Sequence, residues 1–195
     1  MSISLQKGQK VSLSKESGGL SSVIVALGWD EAPRKKKLFG PKPEDIDCDA
    51  AAFLLVDGHI ISKDDVVYFG NLDHKSGCVR HMGDNLTGAG DGDDETIYMD
   101  LAALPNEYDK IIVVVSIFQA RLREQHFGMI QNAYIRIVDG MTNRELLRYN
   151  LTEDYSGSTA LVFGEIYRHN NEWKFAAIGQ GTTDNSVAEI AKRFA

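Results

Sequence analysis

Residues 111–118 read Ile-Ile-Val-Val-Val-Ser-Ile-Phe, eight positions without a charge, and no other stretch constrains the fold as much. Branched side chains in an unbroken run suit a strand covered on both faces, because a half-exposed strand would alternate. The run is far shorter than the ~20 apolar residues that a membrane-spanning helix needs. It therefore predicts a central strand with protein packed above and below it. The remaining pattern supplies the neighbours. Runs of the same kind occur at 23–27, 51–56 and 66–69; Tyr134-Ile135-Arg136-Ile137-Val138 alternates, as does Trp173-Lys174-Phe175 after the stretch 161–167.

Turn chemistry separates these runs. Asp57-Gly58 and Asp139-Gly140 are hairpin signals, and His169-Asn170-Asn171-Glu172 joins two more strands. Many short strands with few helical patterns predict an all-β fold, an antiparallel β-sandwich with short helices. One is a C-terminal helix over about 186–194, capped by Asp184, with Val187, Ile190, Ala191 and Phe194 on one side. A short turn at 106–109 leads into the central strand. With 195 residues, 43% of them hydrophobic, the chain can fill one core, so residues 1–195 are expected to form a single domain. Residues 31–44 read as an exposed basic loop insert, carrying Arg34-Lys35-Lys36-Lys37 among three prolines.

Cys48 and Cys78 are too few for a disulfide framework, and the N-terminus lacks an apolar signal core. A cytoplasmic protein with reduced thiols and no transmembrane segment of its own is expected. Its net charge of −7 is unevenly spread. Between residues 81 and 109 there are eight acids and no Lys or Arg, whereas the rest of the chain is close to neutral. Such a window repels phosphate, so nucleic acid is not an expected partner.

Within that window lies Gly83-Asp84-Asn85-Leu86-Thr87-Gly88-Ala89-Gly90-Asp91-Gly92-Asp93-Asp94-Glu95. A hard cation such as Ca²⁺ takes six to eight oxygens from carboxylates, amides and backbone carbonyls, and this stretch offers all three. Its glycines let the backbone turn tightly enough to aim several oxygens at one point. Asp45-Ile46-Asp47-Cys48-Asp49 adds three carboxylates that the strand period places on one face, opposite Ile46 and Cys48. Asp30 is a further candidate. The spacing is not that of an EF-hand, and no Lys follows the glycines as a phosphate loop requires. A solvated acidic loop is the competing reading. His74-x3-Cys78-x2-His81 offers three zinc-type ligands without a fourth.

These motifs, in this order, resemble the TerD-like family of tellurite-resistance and general stress proteins. The resemblance runs from Ile3-Ser4-Leu5-Gln6-Lys7-Gly8 through Leu27-Gly28-Trp29-Asp30 and both acidic motifs. It continues to Asn132-Ala133-Tyr134-Ile135-Arg136 and Glu165-Ile166-Tyr167-Arg168-His169-Asn170. It implies a Ca²⁺-binding β-sandwich without catalytic activity, holding one or two ions. The ligands carried over are Asp47, Asp49, Asp84, Asn85, Asp91, Asp93, Asp94 and Glu95, with the carbonyls of Leu86 and Gly88. It also implies partners among other tellurite-resistance proteins, one of them membrane-embedded, and a location at the inner face of the membrane. A metal-dependent hydrolase or a redox enzyme acting on tellurite is the alternative. The redox version would want paired thiols, and no Cys-x-x-Cys is present.

Overall fold

The computed structural model describes residues 2–17, 20–32, 44–83 and 92–195. Two six-stranded sheets face each other. The first runs in the order β1 (Ile3–Leu5), β10 (Glu145–Asn150), β9 (Ile130–Asp139), β3 (Ser22–Glu31), β7 (Glu95–Asp100), β6 (Val79–His81). The second runs β2 (Lys10–Ser12), β12 (Glu172–Thr182), β11 (Ala160–His169), β8 (Lys110–Ile117), β4 (Cys48–Leu55), β5 (Val66–Val67). Every pairing is antiparallel except β1 with β10, which is parallel. The expected antiparallel sandwich is thus observed, with one parallel edge.

β8 is buried along nearly its whole length. Ile111, Val113, Val115 and Ile117 join the core between the sheets, and Ile112 and Val114 face the opposite side. That outer side is covered by the C-terminal helix α2 (Val187–Ala191) and the 3-10 turn after it. Val187 and Ile190 are buried there, and Phe194 meets Phe53 edge-on at 5.8 Å. Burying each such side chain contributes roughly 1.5–3 kcal/mol. The helix cap differs from expectation. Ser186 accepts the Glu189 N–H, whereas Asp184 is held by Arg193 at 2.6 Å and by the Thr182 hydroxyl.

The Asn170-Asn171 pair has φ of 53° and 59°, which closes a two-residue hairpin whose twist matches its strands. The first acidic motif is less regular than expected. β4 starts only at Cys48, so Asp45 is exposed, Asp47 half-buried and Asp49 buried. Ile46 and Cys48 do point into the core. Both cysteines are free thiols, as expected from their number. The basic insert falls mostly on residues 33–43, outside the described residues.

A buried polar clasp ties the edge of one sheet to the approach to the other. Fully buried Asp65 accepts the Tyr108 hydroxyl at 2.8 Å, Lys75 Nζ at 2.8 Å and His74 Nε2 at 3.3 Å. Its second oxygen takes the Ser62 N–H. His74 Nδ1 in turn contacts the Ser76 hydroxyl at 2.7 Å. Burial pushes the Asp65 carboxyl up, but the bonds from Lys75, Tyr108 and His74 outweigh it and hold it below the usual carboxylate range. Burial lowers His74 despite Asp65, so a neutral imidazole donates to a carboxylate. Removing that acceptor by Asp65→Ala is expected to cost about 3 kcal/mol in urea unfolding. Because folding depresses His74 below its unfolded value near ~6.5, its contribution is complete above that pH and lost as pH falls through the folded value. Urea midpoints measured between pH 7 and pH 5 should therefore decline in the parent protein and decline less in His74→Gln.

Candidate functional site

β4, β7, β3 and β9 meet at one end of the sandwich, where the acidic motifs enter the fold. β4 and β7 approach each other across the interior although they belong to different sheets. The three consecutive acids ahead of and within β7 go to three different places. Glu95 points inward with Ile97 and Met99, is 1% exposed, and sets Oε2 2.8 Å from Nε2 of buried His81. Asp94 extends the β3–β7 pairing, donating its N–H to Leu27 O at 2.7 Å and accepting the Trp29 N–H on Oδ2 at 2.8 Å. Burial pushes the Asp94 carboxyl up, and Asp30 and Asp93 push it further.

Asp93 is gripped from the outer face of the sheet. Arg136 forks onto both oxygens, Nε to Oδ1 at 2.8 Å and Nη2 to Oδ2 at 2.6 Å. The Tyr134 hydroxyl donates to Asp93 Oδ1 at 3.0 Å and lies 2.9 Å from Gly92 O. Burial, then Asp93, pushes the Tyr134 phenol up to about 12. The Tyr134 ring lies across Gly28, where a Cβ would come within 2.5 Å of it. Its other face receives the Arg148 guanidinium at 3.6 Å. Glycine at 28 is therefore a packing requirement for the tyrosine.

On the facing sheet, Asp49 lies at the start of β4 on the side away from the core, in the row of Ala51 and Phe53. It borders an apolar cavity of about 700 Å³ beneath α2, which no other candidate carboxylate among the described residues lines. Burial pushes the Cys48 thiol well up, and Asp49, Asp47, Asp94 and Glu95 add to the effect in that order. Residues 44–47 are strapped down by the following loop: Gln125 Nε2 donates to the carbonyls of Glu44 and Asp45, and the Phe118 N–H donates to Asp47 O. Asp30 accepts the Asn132 amide at 2.8 Å.

Of the ten predicted ligands, the structure turns Asp49 to the outer side of its sheet, Glu95 to the interior, Asp94 to the β3 backbone and Asp93 to Arg136, with Asp47 half-buried just ahead of β4. Asp84, Asn85, Leu86, Gly88 and Asp91 lie outside the described residues. Among the described residues, no three His, Cys, Asp or Glu side chains are grouped to hold a metal on their own. The His74, Cys78 and His81 set is likewise dispersed, His74 in the Asp65 clasp and His81 against Glu95. The donor chemistry that is gathered, all carboxylate oxygen, suits a hard cation rather than a soft one. Tyr134 and Arg136 were not singled out as site residues by sequence reasoning, and His81 only as a zinc-type ligand. The outward positions of the alternating strand were the available signal for the first two.

Fold and site together define an all-β sandwich domain with a carboxylate-rich end. The chain belongs to the TerD domain family, whose sequence model matches residues 1–194. It is 48% identical over 198 residues to Stress response protein SCP2 of Bacillus subtilis (strain 168), covering 100% of both chains. Over 182 residues it is 48% identical to Tellurium resistance protein TerD of Serratia marcescens, covering 93% of this chain and 91% of that one. A crystal structure of a TerD homologue from Streptomyces coelicolor A3(2) superposes with a TM-score of 0.69 at 24% identity, covering 91% and 99% of the two chains. These relatives carry the names of resistance and stress proteins rather than of enzymes.

Gly28→Ala is expected to destabilise the protein by about 1–3 kcal/mol through overpacking against Tyr134. In a Tyr134→Ala background the same substitution should lose most of that cost, as a double-mutant cycle of urea unfolding would read.

Proposed function

We propose that this protein is a calcium-binding, non-enzymatic stress-response module. The observation that carries the reading is the burial of Asp49, Asp94 and Glu95 at the end of the sandwich where the glycine–acid stretch meets the fold. Burying carboxylates is unfavourable unless donors or a cation compensate them. Asp47, Asp94 and Glu95 would hold Ca²⁺ from the described side of the site, and Asp49, on the outer side of its sheet, would act through its charge. The side chains of Asp84, Asn85 and Asp91 and the carbonyls of Leu86 and Gly88 would complete the shell. One or two ions suit so many donors. A bound divalent cation would offset the repulsion among these carboxylates.

The names of the similar proteins support a role in resistance to tellurite and other chemical stress. Among the described residues no helix is long and apolar enough to cross a membrane. An association with a membrane-embedded partner of the same resistance system would therefore be peripheral through those residues. The thiols support a non-redox role. Cys48 and Cys78 are buried in the core, and the surrounding carboxylates disfavour the Cys48 thiolate that nucleophilic or redox chemistry would use.

Calorimetric titration of chelator-treated protein tests the proposal, with Mg²⁺ as the control. One or two Ca²⁺ ions are expected to bind, with stabilisation of about 2.7 kcal/mol at a hundred times Kd. Asp49→Asn and Glu95→Gln should each weaken the binding. Absence of heat and of a thermal shift at millimolar Ca²⁺ would overturn it.

A further inference from the structure

We propose that Arg136 and Tyr134 are positioning residues that hold Asp93 as an anchor, so that Asp93 fixes the exit of the glycine–acid stretch and is not itself a cation ligand. The inference rests on the calcium reading for its functional consequence, but its structural half stands on contacts among described residues alone. Both Asp93 oxygens are engaged: Oδ1 receives Arg136 Nε and the Tyr134 hydroxyl, and Oδ2 receives Arg136 Nη2. A forked guanidinium–carboxylate pair is among the strongest charge-assisted hydrogen bonds, and side chains exposed by 15% and 31% keep it partly out of water. Three donors fill three of the four lone-pair positions of Asp93, and the one left on Oδ2 lies beside a guanidinium whose positive charge disfavours a cation there.

The surroundings show a seat built for this contact. Arg136 is itself steadied by Glu145 of β10, with Nη1 3.4 Å from Oε2. Tyr134 is held flat between the bare backbone of Gly28 and the Arg148 guanidinium, and its one hydroxyl proton is shared between Gly92 O and Asp93 Oδ1. Gly92 has φ of 145°, in the region that favours glycine, so the chain turns there just as it is clamped. The next residue, Asp94, is left facing β3, and Glu95 faces the interior.

The test uses the full chain, with Ca²⁺ alone as the ligand. Arg136→Gln and Asp93→Asn should each lower thermal stability in chelator. Each should also weaken Ca²⁺ binding about ten-fold, the lower range for residues that orient ligands, with the number of ions unchanged. The double variant should be no worse than either single one, because both remove the same contact. Tyr134→Phe, which deletes only the hydroxyl, gives the same signs on a smaller scale if Arg136→Gln fails to fold. Loss of an ion in Asp93→Asn with unchanged stability in chelator would overturn the anchor and make Asp93 a ligand. So would additive effects of the two substitutions. If the parent protein binds no Ca²⁺ while non-additivity persists in chelator, the calcium reading fails and the clamp stands.

Discussion

β8 must be covered on both faces, and the arrangement of the site follows from how that is done. Its inner face packs against the opposite sheet, and its outer face is covered by α2 and the residues after it. β4 lies beside it in antiparallel register, Cys48 opposite Ile117. That register sets Asp47 and Asp49 at the end of the sandwich where β8 stops. Across the interior, β7 starts at the same end with Glu95. Two acidic motifs separated by more than thirty residues in sequence thereby enter the fold at the same end.

The carboxylates on the β7 side are not left to repel one another. Asp93 has Arg136, Asp94 has the Trp29 N–H and Glu95 has His81. Each partner comes from a different element, β9, β3 and β6, so the acidic run is spread over three strands of one sheet. This framework compensates part of the charge. It also gives the divergent directions of consecutive side chains a physical cause: each follows its own donor.

Much of this was legible in the sequence. The uncharged run at 111–118, the alternation at 134–138 and the Asn-Asn hairpin specify buried, half-buried and turning segments by simple chemistry. Ile46 and Cys48 as inward residues followed from the strand period. β6, β7 and β10 were harder to see. Val79–His81 is too short for a periodic signal, and in Glu95–Asp100 and Glu145–Asn150 acids open strands that apolar patterning alone does not mark. The Asp184 cap was misassigned because Asp and Ser are equally good caps in principle. Arg193, distant enough to be invisible to a local rule, decides between them. Tyr134 and Arg136 look solvent-facing in an alternating strand, and only the tertiary placement of Gly92 and Asp93 makes them part of the site. The ligand assignments among Asp84, Asn85, Leu86, Gly88 and Asp91 still rest on sequence chemistry.

The central claim is that a hard cation sits at the end of the sandwich shared by β4 and β7. Its most direct test is Tb³⁺ luminescence sensitised by tryptophan. Trp29 lies at that end, its N–H on Asp94, whereas Trp173 lies at the other, its indole bonded to Leu101 O. The account predicts sensitised Tb³⁺ emission that Ca²⁺ displaces, that Trp29→Phe abolishes and that Trp173→Phe leaves intact. Emission that survives Trp29→Phe and depends on Trp173, or no emission at all, would contradict it.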